Sequence, residues 1–169
     1  VFVDWVTKGD INEDSWRLFY LGEGPMGNVT KILADGRVVF DGALTHGNEV
    51  TLSDLDSRVR VRYYDGRPGQ TADANLVASS VGWTSDHVGT GCAYCVVYAR
   101  FHDTKLVVPP DMTFEVEGAK LYDRRLDTTA GGSGSHRLKD PTTWALSSNP
   151  AVALDHYLLG RFLTSSDDD

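Results

Sequence analysis

The five histidines are the first candidates for chemistry, because an imidazole can act as a general base, a proton shuttle or a metal ligand. They are His46, His87, His102, His136 and His156. None of them belongs to a metal-ligand spacing such as H-E-x-x-H. Ser85, Asp86 and His87 are adjacent, but a nucleophilic triad is assembled in space, so adjacency does not indicate one. The histidines therefore predict neither a metal centre nor a triad.

Two histidines have surroundings that the sequence describes further. His136 lies in a Gly/Ser-rich stretch, where we expect it to be exposed to solvent. His156 follows Asp155 on a predicted helix, and neighbours on a helix point in different directions. Neither pattern indicates a site.

Cys92 and Cys95 form the sequence C-A-Y-C. A redox pair would need this sequence at a helix N-terminus, and a zinc site would need a second pair of ligands. The run around them is typical of a strand, on which residues three apart point to opposite faces. We expect two independent, small core residues.

Glu115 and Glu117 are the paired carboxylates that stand out, since residues two apart share one face of a strand. Such a pair is more commonly a solvated face. Two carboxylates for glycoside cleavage could be assembled in space, but nothing in the sequence selects them. The sequence therefore predicts a protein without catalytic residues, cofactor or metal.

The segment Gly22 to Gly27, GEGPMG, matches the G-x-G-x-x-G spelling of a dinucleotide-binding loop. That loop needs a strand before it and a helix after it, whereas hairpin sequence follows here. Pro25 also lacks the N–H group that a phosphate cradle would use. We interpret the segment as a glycine-rich turn between strands.

The 169 residues carry a net charge of −8, which argues against a nucleic-acid-binding surface rich in Lys and Arg. No run approaches the ~20 apolar residues of a membrane span. The first residues lack the pattern of a signal peptide. The closing SSDDD is predicted to be a disordered acidic tail.

Most of the chain is predicted to be β structure. Asp35-Gly36 is a strong hairpin signal, with Thr30 to Leu33 before it and Arg37 to Phe40 after it. Phe40 to Gly42 is predicted to close the second strand. The remaining predicted strands are Trp16 to Leu21, Asn48 to Leu52, Arg58 to Tyr64 and Ala93 to Phe101, with Thr113 to Val116 and Lys120 to Tyr122 as a second hairpin.

Two of these strands have informative patterns. In Arg58 to Tyr64, valines and Tyr63 share one face and three arginines share the other. The arginine face is either an anion-binding stripe or, the better reading for an acidic chain, a solvated face or subunit contact with cross-strand acids. Ala93 to Phe101 is apolar nearly throughout, which predicts a central strand buried on both faces.

The segments outside the strands include one clear helix. Asn149 is a good N-cap and Pro150 suits the first helical position, so a helix is predicted from there to Phe162. Its apolar stripe would be Ala151, Leu154, Leu158 and Phe162, widened by Val152 and Leu159. Residues 71–79 form a possible short helix, and 128–135 a flexible exposed loop.

Many short strands followed by one helix predict a mainly-β barrel or sandwich. The predicted organisation is a β domain over 1–143, a helix over 144–164 that packs on it or begins a next domain, and the tail 165–169. No internal repeat is visible in the sequence.

Five segments, in order, resemble the tail-tip hub proteins of long-tailed bacteriophages, the lambda-like host-specificity proteins, and the related hubs of gene transfer agents. The segments are GEGPMGNV from Gly22, YYDGRPGQTAD from Tyr63, VGWTSDHVGTGCAYCVVYARF from Val81, VEGAKLYDRR from Val116 and TWALSSNPAVALDHYLLG from Thr143. Together they span most of the chain, from about Trp16 to Leu163. The residues that carry the resemblance are Gly22, Gly24, Pro25, Gly27, Gln70, Trp83, His87, Gly91, Tyr94, Gly118, Tyr122, Asp123, Trp144, Asn149, Pro150, Asp155 and Tyr157.

The resemblance implies a structural protein of the virion, located at the tail tip. Such hubs form a homotrimeric ring that joins the tail tube to fibres or receptor-binding parts and helps open the channel for DNA. DNA would pass without specific binding, and there would be no membrane span. Arg124 replaces a proline of the family pattern and Ser148 an aspartate, while the Ala130 to Ser135 stretch is longer than usual.

A trimer implies aromatic surface left exposed in one subunit, and Trp5, Trp83 and Trp144 are candidates. The equal alternative is that each is a half-buried loop anchor. Two other functions compete with the hub reading. One is a carbohydrate-binding β module, which needs coplanar aromatics on an open face. The other is a glycoside hydrolase-like domain, which needs two carboxylates about 5 to 10 Å apart in a pocket.

Overall fold

The computed structural model describes residues 14–79, 82–102 and 104–159, and the backbone of residues 6–8. Trp5, Phe162 and the acidic tail lie outside the described residues. By its internal contacts the chain divides into two compact units, Val1–Glu117 and Gly118–Asp169. The predicted boundary between 143 and 144 falls inside the second unit, and the division into hub domains stays a prediction.

The regular elements are short and mostly strands. The strands are β1 (Val6–Lys8), β2 (Asp14–Glu23), β3 (Val29–Ala34), β4 (Arg37–Leu44), β5 (Glu49–Leu52), β6 (Val59–Tyr64), β7 (Cys92–Arg100) and β8 (Met112–Val116). The α-helices are α1 (Ala74–Ala78) and α2 (Pro150–Leu158). Single 3-10 turns cover Ser53–Leu55, Arg124–Leu126, Thr128–Ala130 and Pro141–Thr143.

The strands form two antiparallel sheets within the first unit. One sheet has the order β1-β2-β7-β6-β5, and the other has the order β4-β3-β8. A single apolar core takes side chains from both sheets, among them Phe19, Ile32, Val61, Val97 and Met112. The mainly-β prediction is confirmed, and of its two alternatives the sandwich forms rather than the closed barrel.

Strand β7 is the centre of the larger sheet, with β2 on one side and β6 on the other. Its odd-numbered residues Ala93, Cys95 and Val97 lie in the inter-sheet core. Tyr94 and Val96 point the other way, into a second cluster. The second cluster also contains Trp16, Tyr64 and Leu76. The prediction of a strand buried on both faces is therefore confirmed.

Strands β3 and β4 form the predicted hairpin about Asp35-Gly36. Both turn residues have positive φ, 49° and 77°, which is why Asp-Gly suits this turn. Strand β4 does not close at Phe40 to Gly42, as predicted, but continues to Leu44, which pairs with Val29. The continuation buries Leu44 in the core.

The second predicted hairpin is wrong. Strand β8 pairs with β3 rather than with Lys120 to Tyr122. This pairing buries Met112 and places Phe114 against Phe19, with ring centroids 5.3 Å apart. Leu121 instead makes an isolated bridge to Ala145 within the second unit.

Helix α2 begins where the sequence predicts. The Asn149 side chain accepts a hydrogen bond from the Ala151 amide at 2.9 Å, and Pro150 takes the first helical position. The predicted apolar stripe is wrong for Leu154 and Leu158, which are 59% and 72% exposed, and right for Val152, which is buried. The buried face consists of Val152 and His156, since the imidazole finds hydrogen-bonding partners inside the unit.

Candidate functional site

Three loops of the first unit meet at one point, which we call the glycine junction: Gly24, Gly66 and Gly91. The Gly24 amide donates to the Gly91 carbonyl at 2.9 Å, and the Gly91 amide donates to the Gly66 carbonyl at 2.9 Å. The Met26 amide donates to the Asp65 carbonyl at 2.9 Å. Three stretches that are far apart in sequence are thus joined backbone to backbone.

Glycine is required at two of these positions by close approach. A Cβ on Gly24 would overlap the Asp65 carbonyl oxygen and the Gly66 Cα. A Cβ on Gly66 would lie 2.9 Å from the carbonyl carbon of Cys92, and its φ of 83° already favours glycine. The segment 22–27 is therefore a turn, as interpreted from the sequence, followed by strand β3. Its Gly24 amide bonds within the protein.

Gln70 fastens the glycine junction from the side. Its Oε1 accepts from the Gly66 amide at 2.9 Å. Its Nε2 donates to the Val88 and Gly89 carbonyls, each at 2.8 Å. One buried amide side chain thus links two of the three loops. The third is tied by the Tyr63 hydroxyl, which donates to the Gly27 carbonyl at 2.6 Å.

Tyr94 stacks on Tyr64, with ring centroids 4.9 Å apart and planes 19° apart. Burial raises the pKa of Tyr64 to about 12, with the nearby Asp73 carboxylate as the next cause. Burial also raises the pKa of Tyr94. A Cβ on Gly89 would lie 2.7 Å from the Tyr94 ring, so that glycine leaves room for the stack.

The W-T-x-x-H segment forms a small capped turn. The Nδ1 atom of His87 accepts from the Thr84 amide at 3.0 Å, and the His87 ring stacks on Trp83 at 4.6 Å. Trp83 is half-buried and packs against the second cluster. Its indole N–H has no partner among the described residues. Trp83 is therefore a loop anchor, the second of the two readings given from sequence.

The arginine face of β6 has acidic partners. Arg60 and Arg62 both contact the Glu49 carboxylate on β5, each at 3.1 Å. Arg60 also lies over the Tyr98 ring, 4.4 Å from its centroid. Of the two alternatives predicted from the sequence, the structure therefore contains the face with cross-strand acids and not the anion-binding stripe.

The cysteines differ from each other. Cys95 is buried, and burial raises the pKa of its thiol. Cys92 is exposed at the start of β7, so only one of the two is the core residue that the sequence predicts. Both are free thiols.

A cluster that could not be recognised in the sequence lies at the end of strand β6 and just after it. We call this cluster, Tyr64, Asp65 and Arg67, the Tyr-Asp-x-Arg clasp of the first unit. The Asp65 carboxylate accepts from Arg67 Nε at 3.0 Å and from its terminal nitrogen at 2.6 Å. Burial opposes ionisation of Asp65, but the bonds from Arg67 outweigh it, so the pKa of Asp65 is lowered. The Asp65 amide faces His46 Nδ1 at 3.2 Å, and the Tyr64 hydroxyl donates to Asp73 at 3.0 Å.

The second unit contains the same arrangement, the Tyr-Asp-x-Arg clasp of that unit. Arg125 donates to the Asp123 carboxylate from Nε at 3.0 Å and from a terminal nitrogen at 2.6 Å. The Asp123 amide donates to His136 Nδ1 at 3.1 Å. The Tyr122 hydroxyl donates to Asp127 at 2.8 Å.

The two clasps also agree in their buried aspartates. Asp73 caps helix α1 by accepting from the Leu76 amide, and Asp127 caps a 3-10 turn by accepting from the Thr129 amide, both at 2.8 Å. Hydrogen bonds from Thr129 lower the pKa of Asp127 to about 2, although burial opposes this. The sequence signal was present as YDGR and YDRR, but four residues are too short to be noticed as a repeat.

His156 and Trp144 complete the second unit. The Nδ1 atom of His156 accepts a hydrogen bond from the Tyr122 amide at 3.1 Å. The rings of His156 and Trp144 meet edge to face, with centroids 4.8 Å apart. The Trp144 indole donates to the Arg137 carbonyl at 2.9 Å, so Trp144 is a half-buried anchor. Asp155 pairs with Arg124 at 3.1 Å.

One prediction about the Gly/Ser stretch is wrong, and a second is confirmed in its exposure. His136 is 6% exposed rather than solvated, because its ring packs inside the unit as an acceptor for Asp123. The loop 128–135 is exposed but organised by backbone bonds, from Gly132 to Asp127 at 2.8 Å and from Ser133 to Arg125 at 2.9 Å. A Cβ on Gly132 would overlap the Arg124 and Arg125 carbonyl oxygens, which explains the glycine.

The remaining predicted residues are scattered. Gly22 lies at a β-bulge between β2 and β7. Gly118 has a φ of 91° at the start of the second unit, and Tyr157 is 70% exposed on α2. Glu115 and Glu117 are exposed, as expected; Glu115 pairs with Lys31 at 3.4 Å. The structure thus gathers Gly24, Gly91, Gln70 and Tyr94 in the first unit, and Tyr122, Asp123, Trp144 and Asn149 in the second.

Within the described ranges, no group of three or more His, Cys, Asp or Glu side chains is placed to hold a metal ion. The helices of the described chain are all too short or too polar to cross a membrane.

Comparison with protein-family models and with curated proteins gives no match for this sequence. Among solved structures, the chain is similar to a chain of the virion of a native gene transfer agent (GTA) particle. The identity is 22% and the TM-score is 0.46. The likeness covers 71% of this chain and 24% of that chain, so this chain spans about a quarter of that chain's length.

Proposed function

We propose that this chain is a structural virion protein of the tail-tip hub kind. The observation that carries the proposal is the occurrence of five hub-like sequence segments in the family's order. Residues of three of these segments, including Gly24, Gln70 and Gly91, come together in the glycine junction. The hub-like residues thus serve to join loops rather than to line a pocket.

The work of such a protein would be assembly. The glycine junction joins its loops by backbone hydrogen bonds, and Gly24 and Gly66 have no room for a Cβ, which gives one end of the sandwich a fixed shape. A fixed shape is what a ring needs, because each subunit must present the same surface to the next. We propose a homotrimeric ring at the tail tip that joins the tail tube to fibres or receptor-binding parts.

The proposed ring would also let DNA pass. The net charge of −8 would make a channel lined by these subunits repel phosphates and limit sticking. A ring with a basic lumen would contradict this part of the proposal.

Apolar side chains are available for contacts with other subunits or partners. In the first unit, Val107 and Val108 are 66% and 70% exposed in the loop before β8. In the second unit, Leu154, Tyr157 and Leu158 are 59 to 72% exposed along α2. Apolar groups gathered in this way commonly become covered on assembly.

The test is the mass of the purified chain in solution, together with imaging of particles that carry it with a label. We expect a species of three times the 18.5 kDa chain mass, and label at the tail tip. A Val108→Asp variant and a Leu158→Asp variant would show which apolar group the contact uses, with Val77→Asp on α1 as the matched control. A monomer at all concentrations that also fails to enter particles would overturn the proposal.

The competing functions have less support. Trp83 and Tyr94 lie in the second cluster instead of forming an open platform for sugars. The buried carboxylates of Asp65 and Asp127 are each bonded to an arginine, Arg67 and Arg137. We therefore propose no carbohydrate-binding or hydrolytic role.

A further inference from the structure

Two groups of apolar side chains stand out on the surface of the described chain. The five large apolar side chains with the highest exposure there, 59 to 72%, all belong to these two groups. One group is the valine pair, Val107 and Val108 of the first unit. The other is the α2 patch, Leu154, Tyr157 and Leu158 of the second unit. Apolar groups exposed to this extent indicate surfaces that another molecule covers.

The valine pair is held by fixed chain on both sides. Before it, His102 and Leu106 exchange backbone hydrogen bonds of 3.0 and 3.3 Å, and the Leu106 side chain is buried. After it, the buried Arg17 guanidinium donates to the Pro110 carbonyl at 3.0 Å. The proline ring also fixes φ at Pro110. The valines are therefore presented in a preformed arrangement, and a contact through them costs little conformational entropy.

The α2 patch is a continuous strip on one side of its helix. Leu154 is followed by Tyr157 three residues later and by Leu158 four residues later, a spacing that places the three side chains side by side. The opposite side of α2 holds the buried Val152 and His156. The helix is thus anchored by one side, and the patch lies on the side that remains open.

The charges around the two surfaces favour a contact of one with the other. Asp111 is exposed three residues after Val108. Arg124, whose side chain is 55% exposed, bonds Asp155 of α2 at 3.1 Å and so lies beside the patch. Over the described residues, the first unit has 13 acidic and 9 basic side chains, whereas the second has 4 acidic and 5 basic. Electrostatics therefore favours a first unit meeting the second unit of another copy over two like units meeting.

We propose that the valine pair of one copy of this chain packs against the α2 patch of another copy. The inference rests on the proposed function, because it assumes that the chain assembles with itself, and it names the surfaces that meet. Because the two surfaces differ, the contact is heterologous, which is the kind of contact that a ring of three requires. A contact of valine pair with valine pair, or of patch with patch, would be isologous and would stop at two copies.

Disulfide cross-linking between two versions of the full chain tests which surfaces meet. The exposed Cys92 is first changed to Ser, which leaves the buried Cys95 as the native thiol. Val108→Cys is introduced into one preparation and Leu158→Cys into another. The two are mixed at low concentration, where copies separate, and are concentrated before mild oxidation. Each copy carries one new cysteine, so a disulfide between positions 108 and 158 can only join two copies.

We expect the disulfide between positions 108 and 158 in several-fold excess over disulfides that join two like positions. The reason is that assembly raises the effective concentration of the two unlike cysteines alone. The matched control mixes Val77→Cys, another exposed valine of the first unit, with Leu158→Cys, and it should give only the background yield. An excess of disulfides between like positions would overturn the proposal, because it would show an isologous contact.

A pair of opposite charges gives a second test that needs no cysteine. Val108→Glu and Leu158→Lys should each weaken self-association by about tenfold, since each places a charge in an apolar contact. Combined in one chain, they should regain part of this loss, because the new carboxylate and ammonium groups face each other across the contact. Val77→Glu combined with Leu158→Lys should regain nothing. Sedimentation measures the association, and no recovery in the first combination would contradict the contact.

The outcomes distinguish this inference from the proposed function. A chain that forms trimers by mass but gives no disulfide between positions 108 and 158 would refute the contact and leave the virion role standing. A chain that stays monomeric and enters no particle would remove both. All the substituted side chains are exposed, so we expect the variants to fold as the wild type does.

Discussion

At the scale of single residues, the molecule depends on a few side chains that are small or fully bonded. Gly24 and Gly66 permit contacts between backbones that any larger residue would prevent. Gln70 satisfies groups of two loops with one amide. Asp127 accepts from a tyrosine, a threonine and an arginine at once. Each of these residues acts through its position, and each can be tested alone.

Gly24→Ala should lower the free energy of unfolding of the first unit by about 3 kcal/mol, because the new Cβ overlaps backbone atoms that cannot move aside. Urea denaturation followed by tryptophan fluorescence measures the change. Gly42→Ala is the matched control, since its Cβ would meet only the end of the Phe40 side chain at 3.3 Å. Equal losses in the two variants would show that the glycine junction is not a point of close packing.

Asp127→Asn should make the second unit less stable at neutral pH, and the difference from wild type should shrink in acid. The pKa of Asp127 is lowered to about 2, so its contribution is complete above the unfolded-state value of about 3.9 and lost as pH falls through about 2. Unfolding monitored by the amide signals of residues 122–129 measures this.

The control for this change is Asp140→Asn. Asp140 also caps a 3-10 turn, by accepting from the Thr142 amide at 3.0 Å, but among the described residues no arginine or tyrosine side chain bonds its carboxylate. It should show a small effect. If the difference in stability between wild type and Asp127→Asn stayed constant down to acid pH, the ionised Asp127 carboxylate would not be what stabilises the second unit.

At the scale of elements, the chain uses caps and clasps to hold short segments. Helix α1 has only 5 residues and α2 only 9, which are too few for stable isolated helices. Asp73 and Asn149 cap them, and Leu76 and Val152 bury one side of each. The two Tyr-Asp-x-Arg clasps likewise hold short segments in place, the chain that leaves β6 in the first unit and residues 122–125 in the second. Short elements are thus stabilised by specific polar bonds as well as by apolar area.

The exposed face of α2 gives a prediction at this scale. Leu154→Gln with Leu158→Gln should change the free energy of unfolding by less than about 0.5 kcal/mol, since both side chains are exposed. Val152→Ala should lower it by about 1.5 kcal/mol, from two buried methyl groups. Thermal denaturation compares the three proteins. A large decrease in the free energy of unfolding of the leucine variant would show that these leucines are buried, as the sequence predicted.

At the scale of the whole molecule, the two units use polar groups differently. The first unit has an extensive apolar core between two sheets, with a second cluster over β7. The second unit has short 3-10 turns and α2, held by buried Asp and His side chains that include Asp127, His136 and His156. The buried tyrosines of the first unit give the prediction at this scale.

Alkaline titration tests the first unit. Burial raises the pKa of Tyr64 to about 12 and also raises that of Tyr63 and Tyr94. A raised folded-state pKa gives stability that is complete below the unfolded value of about 10 and is lost as pH rises through the folded value. Phenolate absorbance from these three rings should therefore appear together with loss of near-ultraviolet circular dichroism. Phenolates that form while the dichroism persists would contradict their burial.

The sequence by itself determined much of the local structure. Alternation in Arg58 to Tyr64, the Asp35-Gly36 turn and the Asn149-Pro150 cap act over a few residues, so their physics is contained in the sequence. The apolar run from Ala93 likewise required burial on both faces. These features predicted a mainly-β fold with one capped helix, and the turn reading of Gly22 to Gly27.

Tertiary structure alone decided which strands pair and which side chains meet. Strand β8 joins β3 because that pairing buries Met112, a contact between distant segments. Leu154 is exposed and His156 buried on α2, because a backbone amide at Tyr122 is there to bond the imidazole. The glycines of the glycine junction are required only because three loops that are distant in sequence come into backbone contact there. Each of these outcomes depends on a partner remote in sequence, and periodicity within one segment cannot specify that partner.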